Sequence, residues 1–125
     1  MIRISDSTGE VIISLDNGDI KDKEGNTLYT YTKEYFRVYN GGIRYKFGFD
    51  SIRDALGRTL YKFDGTYLRD YNWKNILWVD KEKLHMVKED INYRIEGSLE
   101  KTDYLAIACA IVSYRKDKKE ELVHD

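Results

Sequence analysis

Residues 102–114, TDYLAIACAIVSY, decide how the rest of the chain must be arranged. From Tyr104 to Val112 no residue is charged, and apolar residues go round every face of a helix instead of forming one stripe. A helix apolar on all sides is surrounded either by lipid or by protein. A bilayer needs about 20 apolar residues, so this run is too short to span one. It should be an axle enclosed by the residues that precede it. A helix is expected over 102–121, buried to about residue 114, with Thr102 as its N-cap and Asp103 in its first turn. Beyond Tyr114 the run RKDKKEELVHD is highly charged and should emerge into water.

The preceding residues repeat. Segments starting at Ile4, Ile20, Phe36, Ile52, Leu68 and Leu84 follow one another every sixteen residues without insertion or deletion. The first position is apolar in all six. The tenth (Ile13, Tyr29, Tyr45, Tyr61, Leu77, Tyr93) and the twelfth (Leu15, Tyr31, Phe47, Phe63, Val79, Ile95) are apolar or tyrosine throughout. In a chain only 42% apolar, this agreement identifies an internal repeat. The two-residue spacing of the tenth and twelfth positions is strand periodicity, so these positions should face inward. The ninth and eleventh are apolar only five times in twelve.

Each unit reads as a β-hairpin. Asp-x-x-Gly occurs at Asp6/Gly9, Asp22/Gly25 and Asp54/Gly57, Asp70 has Trp73 in the glycine place, and Gly41 lacks the aspartate. Aspartate bonds the backbone ahead of it, and glycine accepts the positive φ of a short loop. The links DNGD at 16–19 and DGTY at 64–67 are turns too. Six hairpins give a mainly-β single domain over 1–125, with twelve short antiparallel strands over residues 4–95 forming a barrel- or flower-like shell around the C-terminal helix. More than eight strands leave a lumen, and a helix about 10 Å across could fill it.

The totals exclude several classes. Formal net charge is −1, from 21 basic and 22 acidic residues, so only a local patch could favour nucleic acid or an anionic membrane. No nucleic-acid partner and no transmembrane segment are expected. The lone Cys109 provides no disulfide framework. MIRISDSTGE has no signal-peptide pattern, and a soluble cytoplasmic protein is the default expectation.

The Asp-x-x-Gly hairpins and TDYLAIACAIVSY together resemble the tubby C-terminal-like fold of tubby, LURP-one-related and scramblase-like proteins. That resemblance implies twelve strands closed around an apolar helix, and phosphoinositide-type lipid headgroups as ligands. The pattern is also similar to small bacterial β-flower domains, while DALGRTLYKFDG at 54–65 looks like a YD repeat of large toxin shells.

Little points to catalysis. His85 and His124 are the only histidines, and a thiol in a buried helix is usually an inert small hydrophobe. No cofactor or metal is expected, since the aspartates are in register as turn caps and EF-hand spacing is absent. Two surface features stand out instead. The second column of the repeat, Ser5, Lys21, Arg37, Arg53, Arg69 and His85, should point outward, and its Lys21, Arg37, Arg53 and Arg69 could hold an anionic headgroup. Tyr71, Trp73 and Trp78 break the pattern of the fifth repeat and are the expected partner contacts. The leading expectation is therefore a non-enzymatic interaction module, binding a protein partner or itself. Peripheral anionic-lipid binding is the alternative.

Overall fold

The computed structural model describes residues 1–97 and 99–124, without the side chains of residues 101 and 120–124. Twelve strands follow one another: β1 Ile2–Ser5, β2 Val11–Asp16, β3 Asp19–Asp22, β4 Thr27–Tyr31, β5 Tyr35–Val38, β6 Ile43–Phe47, β7 Ser51–Arg53, β8 Thr59–Phe63, β9 Tyr67–Asp70, β10 Asn75–Asp80, β11 Lys83–Met86 and β12 Ile91–Glu96. One helix, α1 Lys101–His124, completes the chain. Each strand pairs antiparallel with its neighbours in sequence, and β1 pairs with β12, so the sheet closes into a barrel. At the closing seam only glycine fits position 97: its φ is +128°, and a Cβ there would lie 2.6 Å from the Met1 carbonyl oxygen.

The sixteen-residue register explains the core. All six first-column residues are fully buried, and all eighteen residues expected to face inward belong to, or pack against, one apolar cluster. Ala106 to Ile111 of α1 are buried in the same cluster, which runs unbroken around the helix as an apolar-all-round helix requires. Twelve strands about 4.8 Å apart, tilted by about 40°, give a backbone radius of about 12 Å. That leaves one layer of side chains between wall and axle. Among the described residues no helix is long and apolar enough to cross a membrane.

Three details differ from the sequence expectation. The ninth column does not face outward in most repeats. In five repeats the register skips one residue, so that Ile12, Leu28, Arg44, Leu60 and Ile76 are each an extra residue opposite the step between the first and second columns of the preceding strand. Such a β-bulge bends the strand and turns the extra side chain. Ile12, Leu28, Leu60 and Ile76 accordingly pack against the core. The sixth repeat has no skip, and its ninth residue, Asn92, stays outside opposite His85. Ser5, expected outside, is buried next to the first bulge. The helix begins one residue before Thr102: the Asp103 carboxylate accepts the Glu100 N–H at 2.9 Å, the acidic half of a capping box, so Thr102 is not the N-cap.

The barrel has two mouths. Turns within the repeats (β1–β2, β3–β4 and so on) surround the end where α1 leaves, and turns between repeats surround the end where it enters. At the exit, Tyr114, Asp117 and Lys118 share a cavity of about 490 Å³ with the first two within-repeat turns. At the entry, Thr102 and Leu105 share about 450 Å³ with the turns after β6 and β8.

Candidate functional site

The within-repeat turns are built by aspartate. Asp6, Asp22, Asp54 and Asp70 each accept two backbone N–H bonds through Oδ1, from residues two and four further on, at 2.8–3.2 Å. In Asp54 the Arg58 N–H, and in Asp6 the Thr8 hydroxyl, does most to hold the carboxyl below its ordinary range. These aspartates are turn caps. The glycine that follows takes positive φ at Gly9, Gly25 and Gly57, and Trp73 occupies the same place at φ 64°. A bulky residue in this region is strained by roughly 1–3 kcal/mol. Trp73 nonetheless leaves 68% of its surface in solvent.

Trp73 has company beyond Tyr71, its near neighbour in sequence. Tyr39, Leu56, Tyr71 and Val87 are also exposed, each on a within-repeat turn. Four successive turns of the exit mouth, from β5–β6 to β11–β12, thus carry five of the seven large apolar residues exposed among the described ones. Met1 and Phe49 are the other two, and Phe49 lies on a turn at the opposite mouth. The four turns of this apolar crescent also carry Asp54, Arg58, Lys74, Lys88, Glu89 and Asp90, whereas the remaining exit turns carry Asp6, Glu10, Asp22, Lys23 and Glu24 and, among the described residues, no large exposed apolar one.

Trp78 does not join Tyr71 and Trp73. It lies along β10 on the outer wall, paired with Tyr67 on one side and His85 on the other. Its ring stacks on His85 at 5.2 Å, with the Lys83 ammonium 5.8 Å from its centroid. The basic column is brought together in part. Arg37, Arg53 and Arg69 stand outward on β5, β7 and β9, and Lys46 and Lys62 fill the strands between them. Lys21 lies apart on β3.

At the exit mouth Asp117 accepts bonds from the Tyr29 hydroxyl and from Arg44 Nη1, the latter at 3.1 Å. The bulge that turned Arg44 makes this reach possible. Burial, reinforced by Asp117, pushes the Tyr29 hydroxyl well above its ordinary range. Burial likewise raises Tyr45, Tyr61 and the Cys109 thiol. These groups are held in their protonated forms, opposite to the shift that activates a nucleophile. Among the described residues no group of three or more His, Cys, Asp or Glu could hold a metal ion.

Comparison with known proteins found no matching family model, no matching curated protein and no matching solved structure.

Proposed function

We propose that this chain is a non-enzymatic interaction module that docks through the apolar crescent of the exit mouth, with Trp73 at its centre. One observation carries the reading: a tryptophan occupies a positive-φ backbone position that three other repeats give to glycine, and it is exposed. Within the chain this choice brings strain and little burial. Contact with another surface would supply the burial, since tryptophan and tyrosine dominate protein interfaces. Tyr71, Leu56, Tyr39 and Val87 extend the apolar area over neighbouring turns.

The lipid alternative has less support. Lys21, Arg37, Arg53 and Arg69 follow a convex wall from β3 to β9. A flat bilayer would meet two or three of them at once, at about 1 kcal/mol each.

Self-association is the first case to test, by sedimentation across a hundredfold concentration range. The expected result is a mass that rises with concentration and is insensitive to salt, because apolar contacts are not screened. Trp73→Gly should return the protein to a monomer while stabilising it by about 1 kcal/mol through relief of the turn. A chain that stays monomeric would assign the crescent to a different protein. A Trp73→Gly variant no more stable than the parent would remove the basis of the reading.

A further inference from the structure

We infer that the outer wall from β5 to β11 is a binding face for single-stranded nucleic acid. The first observation is a row of cations. Arg37, Lys46, Arg53, Lys62 and Arg69 occupy five consecutive strands, and the register sets Lys46 directly opposite Arg53 and Lys62 directly opposite Arg69. Like charges in opposed positions repel and weaken a sheet. Outward positions of these strands otherwise carry Tyr35, Ile43, Ser51, Thr59 and Tyr67, none of them a carboxylate. Turn acids relieve the second couple, where Asp64 pairs with Arg69 at 2.9 Å and Asp50 with Lys62 at 3.9 Å, but not the first. Among the described residues Lys46 and Arg53 have no ion-pair partner. An anion bound from outside would relieve this arrangement.

The second observation is a ladder of rings beside the row. Tyr67, Trp78 and His85 are direct neighbours across β9, β10 and β11. Arg69 lies 5.1 Å from the Tyr67 ring centroid, joining the ladder to the cations. A cationic track with adjacent stacking rings is what proteins use to hold single strands, phosphates on the cations and bases on the rings.

Shape selects among polyanions. Five strands span about 19 Å, and each of twelve strands turns a closed wall by about 30°. A bilayer or a duplex is straight on that scale and would touch few of these groups, whereas a single strand can follow the curve. The barrel's closure leaves no free strand edge for an acidic peptide to join by backbone pairing. The net charge of −1 argued against any nucleic acid. Screening within about 8 Å at physiological salt makes the local row matter more than the total.

The experiment is fluorescence anisotropy of a labelled oligo-dT with the full chain, at low and physiological salt. Binding should weaken with salt, with log K falling against log salt at a slope near −3.5 if all five cations meet phosphates, about −0.7 for each. The paired substitution Lys46→Gln/Arg53→Gln should weaken binding at least tenfold and reduce the slope by about 1.4. Because it removes a repulsive pair, its melting temperature should not fall, which separates lost binding from lost folding. Trp78→Ala should weaken binding about tenfold with no change in slope, through loss of one stacked base. Trp73→Gly, at the separate crescent, should bind as the parent does. Four results would each overturn the inference: no binding at low salt, equal binding by both outer-wall variants and the parent, tighter binding of duplex, or tighter binding of anionic vesicles.

Discussion

Between β4 and β8 the barrel lines its interior with rings, Tyr29, Phe36, Tyr45 and Tyr61, whose successive centroids lie 5.0, 5.5 and 6.1 Å apart. Next around the barrel, β9 to β11 present Leu68, Leu77, Val79 and Leu84 instead. The backbone of α1 comes nearest to β10, in this aliphatic half. A ring is longer than a leucine, so the shorter side chains let the helix backbone approach β10. Side-chain size thus places the helix, while the number of strands sets only the room available.

The comparison can be broken most directly at the axle, which both halves share. Ala108→Asp would put an unpaired carboxylate where the parent residue is fully buried. A cost of more than about 4 kcal/mol is expected, seen as loss of cooperative unfolding by circular dichroism. A folded variant would mean that the wall does not depend on the helix. The halves separate in a second test. Phe36→Ala should cost about 3–5 kcal/mol and Leu84→Ala about 2–4, measured by denaturant titration. Both parent residues are fully buried, so a larger cost for Leu84 would contradict the view that rings fill the wider gap.

A third, gentler test uses pH, because the aromatic stretch carries tyrosines held above their ordinary range. Burial, then Asp103, pushes Tyr31 up to about 12, and burial foremost raises Tyr29, Tyr45 and Tyr61. With folded values above the unfolded value of about 10, the stability from neutral tyrosine is complete below pH 10. It is lost as pH rises toward 12 and beyond. The loss is at most about 1.4 kcal/mol per pH unit for each fully buried ring, and less for the half-exposed Tyr31. Denaturant midpoints should therefore fall through this window, less steeply in Tyr45→Phe. Equal slopes in parent and variant would show that Tyr45 is not shielded.

Much of the fold is legible in the chain because the repeat is strict. Inward columns, aspartate turns and the buried length of the helix all follow from spacing alone. The bulges were hidden in the ninth column. Its apolar members, Ile12, Leu28, Leu60 and Ile76, stand where alternation alone points outward, and only the pairing between strands reveals that they turn in. Closure of β1 on β12 was equally invisible, since no local pattern specifies which edges meet. At the surface, Trp73 was legible as a break in the repeat. Its grouping with Trp78 was not correct, because five residues along a strand carry the chain from the rim to the middle of the wall. Leu56, Tyr39 and Val87 escaped notice because turn residues vary freely and nothing in sequence marks turns that share a mouth. Lys46 and Lys62 belong to the eleventh column, which strand alternation points outward, but their place between Arg37, Arg53 and Arg69 depends on register.

The closing seam has a consequence for how the molecule forms. Eleven of the twelve strand pairings join consecutive strands, and one joins the first to the last. Local hairpins can zip early, since they close short loops, whereas the final pairing must wait for nearly the whole chain. Until then the growing sheet is an open arc with two unpaired edges and an uncovered apolar lining, the kind of species that adheres to its own kind. The segment that fills the arc follows all twelve strands in the chain. Order of synthesis therefore makes α1 a late arrival, and the time before it appears is when this protein is most exposed to misassembly.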